Sequence, residues 1–219
     1  MRIHSLLSGT KANGPGIRSA VWLQGCNLFC PECQNPKTHP FEGGFDIDPD
    51  ALAARLVWES AKGTVGLTIS GGEPLHQARS VNDLICSIAA RRPEWDAGLF
   101  TGYTLAELIN GRYDLREPLP TLGTAEHARA CLWEYSLRPR LSWAITGRYD
   151  RTRPPSTMRE DLPYRHAVAS ANQDVWLFKS RWSYADFPAL THEVSIENDG
   201  LVKISGYPAI KTNTTGENE

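Results

Sequence analysis

The chain has 219 residues, with 23 Lys plus Arg against 25 Asp plus Glu and a formal charge of -2 at pH 7. It therefore lacks the basic field that holds nucleic acid or an anionic membrane surface. A hydrophobic fraction of 41% and a charged fraction of 22% suit one globular domain, and no apolar run approaches the roughly 20 residues that cross a bilayer.

Near the N-terminus only Leu6-Leu7 forms an apolar pair, too little for the core of a secretory signal, so a cytoplasmic location is expected. Residues 2–7 and 18–23 predict short strands joined by a turn-rich link containing Asn13-Gly14-Pro15-Gly16. Directly after the second strand, Cys26, Cys30 and Cys33 crowd into one short loop. Cys86 and Cys131 stand apart in predicted helices, so metal or redox chemistry explains the five cysteines better than a disulfide framework. Those two are read as small buried hydrophobes.

A helix is predicted with Asp48 as N-cap and Pro49 at its first position, placing Leu52, Leu56 and Val57 on one face and ending before Gly63. Residues 65–70 form an apolar, β-branched strand running into Gly71-Gly72-Glu73-Pro74, followed by a helix over 81–90 that turns Leu84, Ile85 and Ile88 inward. Residues 98–101 repeat the arrangement, with Thr104 and Glu107 as the capping box of the next helix. A helix over 125–137 and strands over 141–145 and 175–178 continue the alternation.

This order predicts an α/β fold with a mostly parallel sheet and right-handed crossovers, open or curled into a partial (β/α) barrel. In either case chemistry gathers at the carboxyl ends of the strands. The cysteine loop, the Gly-Gly-Glu-Pro loop and Gly102-Tyr103 should therefore share one face. Residues 147–166, with five arginines and three prolines, predict a long loop, either a lid or docking surface or a plain solvated connection. Segments 193–196 and 201–205 flank Asn198-Asp199-Gly200 as a C-terminal β-hairpin extension, and residues 211–219 form a polar tail expected to be disordered. A single domain over residues 1–210 is expected.

Three cysteine ligands leave one iron of a four-iron cubane without a protein ligand, and an open metal position is what a reactive site needs. The competing assignment is structural zinc, with His39 completing a Cys3His set in a non-catalytic module. A second element weighs against zinc. In Ser70-Gly71-Gly72-Glu73-Pro74, two glycines let the backbone come close to a ligand and expose its polar groups, Glu73 supplies an acceptor and Pro74 stiffens the exit. Such a loop suits an ammonium group. None of the six histidines is assigned as an acid or base; His4, His76 and His166 are read as structural or surface residues.

At these residues the chain resembles the radical S-adenosylmethionine enzymes, whose defining loop is Cys-x3-Cys-x2-Cys and whose methionine-binding loop is Gly-Gly-Glu-Pro. Asn13 to Arg18, Gln24-Gly25-Cys26, Cys33-Gln34-Asn35-Pro36, Ser70 to His76, Thr101-Gly102-Tyr103 and Ser170-Ala171-Asn172-Gln173 are similar to segments of the anaerobic ribonucleotide reductase activating proteins. The resemblance implies that Cys26, Cys30 and Cys33 bind a [4Fe-4S] cluster whose open iron chelates S-adenosylmethionine. It implies that Glu73, Gly71 and Gly72 hold the methionine ammonium and that the backbone over Glu32, Cys33 and Gln34 meets the adenine, with Ser70, Pro74 and Thr101 completing the cofactor-binding set.

The implied reaction cleaves S-adenosylmethionine reductively to a 5′-deoxyadenosyl radical, which takes a hydrogen from a glycine of a partner protein. The implied partners are a glycyl-radical protein such as anaerobic ribonucleotide reductase and an electron donor such as flavodoxin or ferredoxin. Residues 110–142 exceed what that family's core needs. The same cofactor motifs also serve enzymes that modify another peptide or a small molecule.

Overall fold

The computed structural model describes residues 1–119, 123–155, 167–188, 192–196 and 202–206. Its framework is a seven-stranded sheet whose first three strands are β1 (Arg2–Thr10), β2 (Ile17–Leu23) and β3 (Phe45–Asp46). The other four are β4 (Thr64–Gly71), β5 (Asp96–Thr101), β6 (Trp143–Thr146) and β7 (Asp174–Leu177), and the spatial order is β3-β1-β2-β4-β5-β6-β7. The central strands β2, β4, β5 and β6 run parallel. The flanks do not: β1 pairs antiparallel with both β2 and β3, and β7 pairs antiparallel with β6.

The mostly parallel sheet read from the alternation is thus corrected to a parallel centre with antiparallel flanks. The turn-rich link over 11–16 is too short for a crossover, so β2 must fold back beside β1. Strand β3, two residues long, carries no periodicity to read. Its pairing with β1 and that of β7 with β6 leave β3 and β7 as the two open edges.

Helix α1 (Pro49–Trp58) starts as expected: Asp48 Oδ1 accepts from the N–H groups of Asp50 at 2.9 Å and Ala51 at 3.1 Å, and Pro49 occupies the first position. It buries Leu52, Ala53 and Leu56, while α2 (Ala78–Arg91) buries Val81, Leu84, Ile85 and Ile88. With Val21, Leu23, Leu67, Ile69 and Leu99 from the sheet they make the main core. On the other face Trp143, Ile145, Val168, Val175 and Phe187 form a second core. Alternation along β6 divides the two, since Ala144 points into the first while its neighbours join the second. All four residues of β6 are buried, as a strand covered on both faces requires.

Helix α3 (Leu105–Ile109) opens on the complete Thr104–Glu107 capping box. The helix expected over 125–137 divides into α4 (Ala125–Cys131) and a wider turn over Leu132–Leu137, and Trp133 and Leu137 bury into the main core. Tyr113, Trp133, Leu137 and Leu141 of segment 110–142 are therefore part of the packed body. Cys86 and Cys131 lie on α2 and α4 as free thiols, half-buried rather than fully buried. Strands β8 (His192–Ile196) and β9 (Val202–Gly206) pair antiparallel as the expected hairpin. Its Asn198-Asp199-Gly200 turn, residues 156–166 of the arginine-rich loop and the tail over 211–219 lie outside the described residues. Among the described residues no helix is long and apolar enough to cross a membrane.

Candidate active site

Each parallel strand delivers a loop at its carboxyl end, and each of these loops begins with a glycine within two residues of the strand: Gly25 after β2, Gly71 closing β4, Gly102 after β5 and Gly147 after β6. The cysteine loop is stitched at its base, where the N–H groups of Gly25 and Cys26 donate to Thr38 O at 2.8 Å and His39 O at 3.0 Å. Between these points the chain reverses sharply, with Phe29 and Glu32 held at φ 47° and 54°. Non-glycine residues rarely occupy that region, and such strain gathers where surrounding structure imposes a functional geometry.

All three loop cysteines are free thiols, Cys26 buried and the other two half-buried. The N–H of Leu28 approaches Cys26 Sγ at 3.4 Å and that of Asn35 approaches Cys33 Sγ at 3.4 Å. Burial pushes the Cys26 thiol up to about 11, against the Leu28 N–H, with the charges of Glu73, Cys33 and Cys30 adding to the rise. Burial raises Cys33 as well, with Cys30 contributing. Sulfurs that penalise each other's ionisation need a compensating cation before they become thiolates, and N–H donors aimed at sulfur orient and stabilise it as an iron ligand. The donor set fits a cluster. The His39 ring, the fourth member of the zinc alternative, packs edge-on to Phe29 with centroids 5.9 Å apart.

The two glycines after β4 have separate reasons. Gly71 adopts φ +113°, and a side chain there would strike Leu23 N at 2.2 Å; a Cβ on Gly72 would stand 2.2 Å from Gly25 O. Both are therefore demanded by the approach of this loop to β2 and the cysteine loop. Gly72 N donates to Leu23 O at 2.8 Å and Glu73 N to Gly25 O at 2.9 Å. This corrects the expectation that the loop exposes its amides: those two are paired within the protein. Ser70 and Gly71 lie half-buried in register with Trp22 and Leu23, and Pro74 opens a buried turn over Pro74–Gln77.

Glu73 is 1% exposed. Its Oε1 accepts from Leu75 N and Thr101 Oγ1, both at 2.9 Å, and its Oε2 accepts from Gly102 N at 2.8 Å. A carboxylate offers about four acceptor positions, so one on Oε2 is left over. Burial pushes this carboxyl up to about 7, opposed by those three donors and by the Arg148 guanidinium.

Glu32 and Gln34 sit in the cysteine loop as expected, but the Glu32 carboxylate is engaged in an ion pair with Arg151 from the loop after β6. Arg148, on the same loop, was not singled out as a site residue. Its Nη1 donates to Glu107 Oε2 at 2.8 Å, its guanidinium lies 5.3 Å from the Tyr103 ring centroid, and its charge opposes the rise of the Glu73 carboxyl. The recurring strand-then-glycine pattern was the signal that marks it. Ser170 to Gln173 fasten this exit: Gln173 Oε1 accepts from Ala169 N and Ser170 N, its Nε2 donates to Gly147 O at 3.1 Å, and Asn172 Nδ2 donates to Arg148 O at 2.6 Å.

Fold and loop define an iron–sulfur protein with its cysteines at the carboxyl edge of a parallel sheet, and residues 12–122 match the family model described as a 4Fe-4S single cluster domain. The anaerobic ribonucleoside-triphosphate reductase-activating protein of Vibrio cholerae serotype O1 is 34% identical over 120 residues, 52% of this chain and 77% of that protein. The chain belongs to the 4Fe-4S single cluster domain family and is a relative of these activating proteins. It is also 38% identical over 89 residues to the pyruvate formate-lyase-activating enzyme of Clostridium pasteurianum, matching 38% of this chain and 37% of that enzyme. The chain thus spans about a third of the length of the pyruvate formate-lyase-activating enzymes it matches. QueE from Escherichia coli overlays with a TM-score of 0.38 at 14% identity, over 59% of this chain and 68% of that one, too slight a likeness to argue from.

Proposed function

We propose that this protein is a radical S-adenosylmethionine activating enzyme. In this reading Cys26, Cys30 and Cys33 hold a [4Fe-4S] cluster on one domain, residues 1–210, whose sheet curls as a partial (β/α) barrel. When bound and reduced, the cluster supplies the electron that cleaves S-adenosylmethionine to methionine and a 5′-deoxyadenosyl radical, which takes a hydrogen atom from a glycine of a partner protein.

The observation that carries the reading is the buried Glu73 carboxyl beside the cysteine loop, with three acceptor positions filled and one remaining. A buried carboxylate in that condition favours a cation, and the methionine ammonium is a cation with a donor to offer. Glu73 thus binds and orients the amino acid end while also tying β4 to β5. Ser70, Gly71, Gly72, Pro74 and Thr101 shape the same pocket wall, and the backbone of Glu32, Cys33 and Gln34 faces the adenine. Arg148 keeps a positive charge beside Cys30 and Glu73.

The partner is a glycyl-radical protein of the kind that the relatives' names specify, such as anaerobic ribonucleotide reductase. The electron comes from a small cytoplasmic donor such as flavodoxin or ferredoxin. Anaerobic reconstitution with iron, sulfide, a reductant and S-adenosylmethionine, followed by chromatography, should yield 5′-deoxyadenosine, and Cys30→Ala should yield none. A fully iron-loaded chain that forms no 5′-deoxyadenosine overturns the reading. Product without a glycyl radical signal in any added partner transfers it to another peptide or a small-molecule substrate.

A further inference from the structure

Three loops must keep one arrangement at the carboxyl edge of the sheet: the cysteine loop, the Glu73 loop and the turn at Tyr103. A residue of segment 110–142 touches all three. Asp114 Oδ2 accepts from Asn27 Nδ2 at 3.0 Å, and Asn27 follows Cys26 directly in the chain. The Asp114 carbonyl accepts from His76 Nδ1 at 2.9 Å, and its N–H donates to the Tyr103 hydroxyl at 3.0 Å. Arg116 holds this segment in place, donating from Nε to Asp114 Oδ2 at 2.7 Å and from its N–H to His76 O at 2.8 Å. His76 is itself 1% exposed, between Phe41 and Tyr103, and its bond to Asp114 is part-buried.

We propose that Asp114 is a positioning residue for the cysteine loop, acting through Asn27 to fix the backbone at Cys26 against the Glu73 loop and Tyr103. The loop needs such a restraint because Phe29 and Glu32 are held in left-handed conformations that only surrounding contacts maintain. The Glu32–Arg151 pair restrains its far side and Asn27–Asp114 its near side. For cluster retention the inference rests on the function proposed above; for loop order in the metal-free chain it does not.

The test uses the full chain, purified anaerobically, as wild type, Asn27→Ala, Asp114→Ala, Asp114→Asn and the Asn27→Ala/Asp114→Ala pair. Iodoacetamide labelling of metal-free chain, read per cysteine by mass spectrometry, reports loop opening at Cys26; iron release to a chelator from reconstituted chain reports cluster retention. Asn27→Ala and Asp114→Ala should each speed Cys26 labelling about tenfold by lowering the cost of local opening. Both should hasten iron release roughly 10-fold or more, as loss of a group that orients a metal ligand does. The double variant should be no worse than Asp114→Ala, and Asp114→Asn, which keeps an acceptor for Asn27, should stay within about threefold of wild type.

Labelling and iron release within about twofold of wild type in both alanine variants overturn the proposal, as do effects that multiply in the double variant. If Asp114→Ala does not fold, Asn27→Ala against wild type decides the matter by the same two rates. A wild-type chain that takes up no iron defeats the functional reading alone, and the labelling rates still decide this inference.

Discussion

Thr101 Oγ1 donates to Glu73 Oε1 at 2.9 Å, and that bond ties the last residue of β5 to the loop leaving β4. Gly102 N, on the neighbouring peptide, holds the other carboxylate oxygen at 2.8 Å. The ends of two parallel strands are thereby locked through one buried carboxyl group, which lies beside the cysteine loop without contributing a ligand to it.

The titration of that group gives the first prediction. Burial lifts the Glu73 carboxyl from an ordinary 4.5 to about 7, so the folded chain binds a proton that the unfolded chain has released over this interval. Its contribution is complete below about pH 4.5 and is lost as pH rises through 7. In metal-free chain, urea unfolding should show stability declining over that range by on the order of 3 kcal/mol from this residue. Glu73→Gln should remove the decline; an unchanged slope in the variant rejects the assignment.

Gly72→Ala tests the closeness of the two loops. Its Cβ would meet Gly25 O at 2.2 Å and Thr38 O at 3.0 Å, backbone atoms that cannot swing aside. The cysteine loop must move off the Glu73 loop, costing about 1–3 kcal/mol in thermal or urea unfolding. Iron uptake on reconstitution should fall with it, measured as iron and sulfide per chain. Full iron content and wild-type stability would show that the contact is not needed.

At the opposite end of the sheet Arg18 is fully buried, its Nη2 2.5 Å from Asp96 Oδ1 and its guanidinium 5.3 Å from the Trp143 ring centroid. Burial pulls this arginine down while Asp96 holds it up, and Nε donates to Thr68 Oγ1 at 2.7 Å. Arg18→Ala leaves Asp96 without that partner and should cost about 3–5 kcal/mol. Because the pair lies at the amino ends of β2 and β5, the folded fraction should still take up iron at the wild-type ratio. A loss of iron uptake beyond the loss of folded chain would contradict that separation.

Gln173→Ala removes the acceptor of two amides and the donor to Gly147 O. Hydrogen exchange at Ala169 and Ser170 should accelerate, with residues 147–150 following because their anchor is gone, while the amides of β4 keep their protection. Net destabilisation should be about 1–3 kcal/mol. Exchange unchanged at Ala169 would mean that this latch is not closed in solution.

Local signals were enough for α1 and for the α3 cap, because Asp48-Pro49 and Thr104-Glu107 satisfy helix-end amides from within a few residues. The cysteine loop and its placement after β2 were equally legible, since ligand spacing within one loop is a property of the chain. The antiparallel pairings of β3 with β1 and of β7 with β6 were not legible, because pairing direction there depends on where a long connection returns. The packing demand on Gly71 and Gly72 was not legible for a related reason: their neighbours, Leu23 and Gly25, lie some forty-eight residues away in sequence and are brought close only by the parallel register of β2 and β4.

By itself the sequence determined the chemistry available: three thiols in one turn, a carboxyl group after a glycine pair, and strands whose ends carry them. Only the tertiary structure decided how those groups are conditioned. It buried Glu73 and filled three of its acceptor positions, set Arg148 and Asp114 beside the loops, and joined Glu32 to Arg151. The division has a physical basis. Ligand type and spacing are encoded over a few residues, whereas desolvation and charge environment are sums over everything that folding brings near.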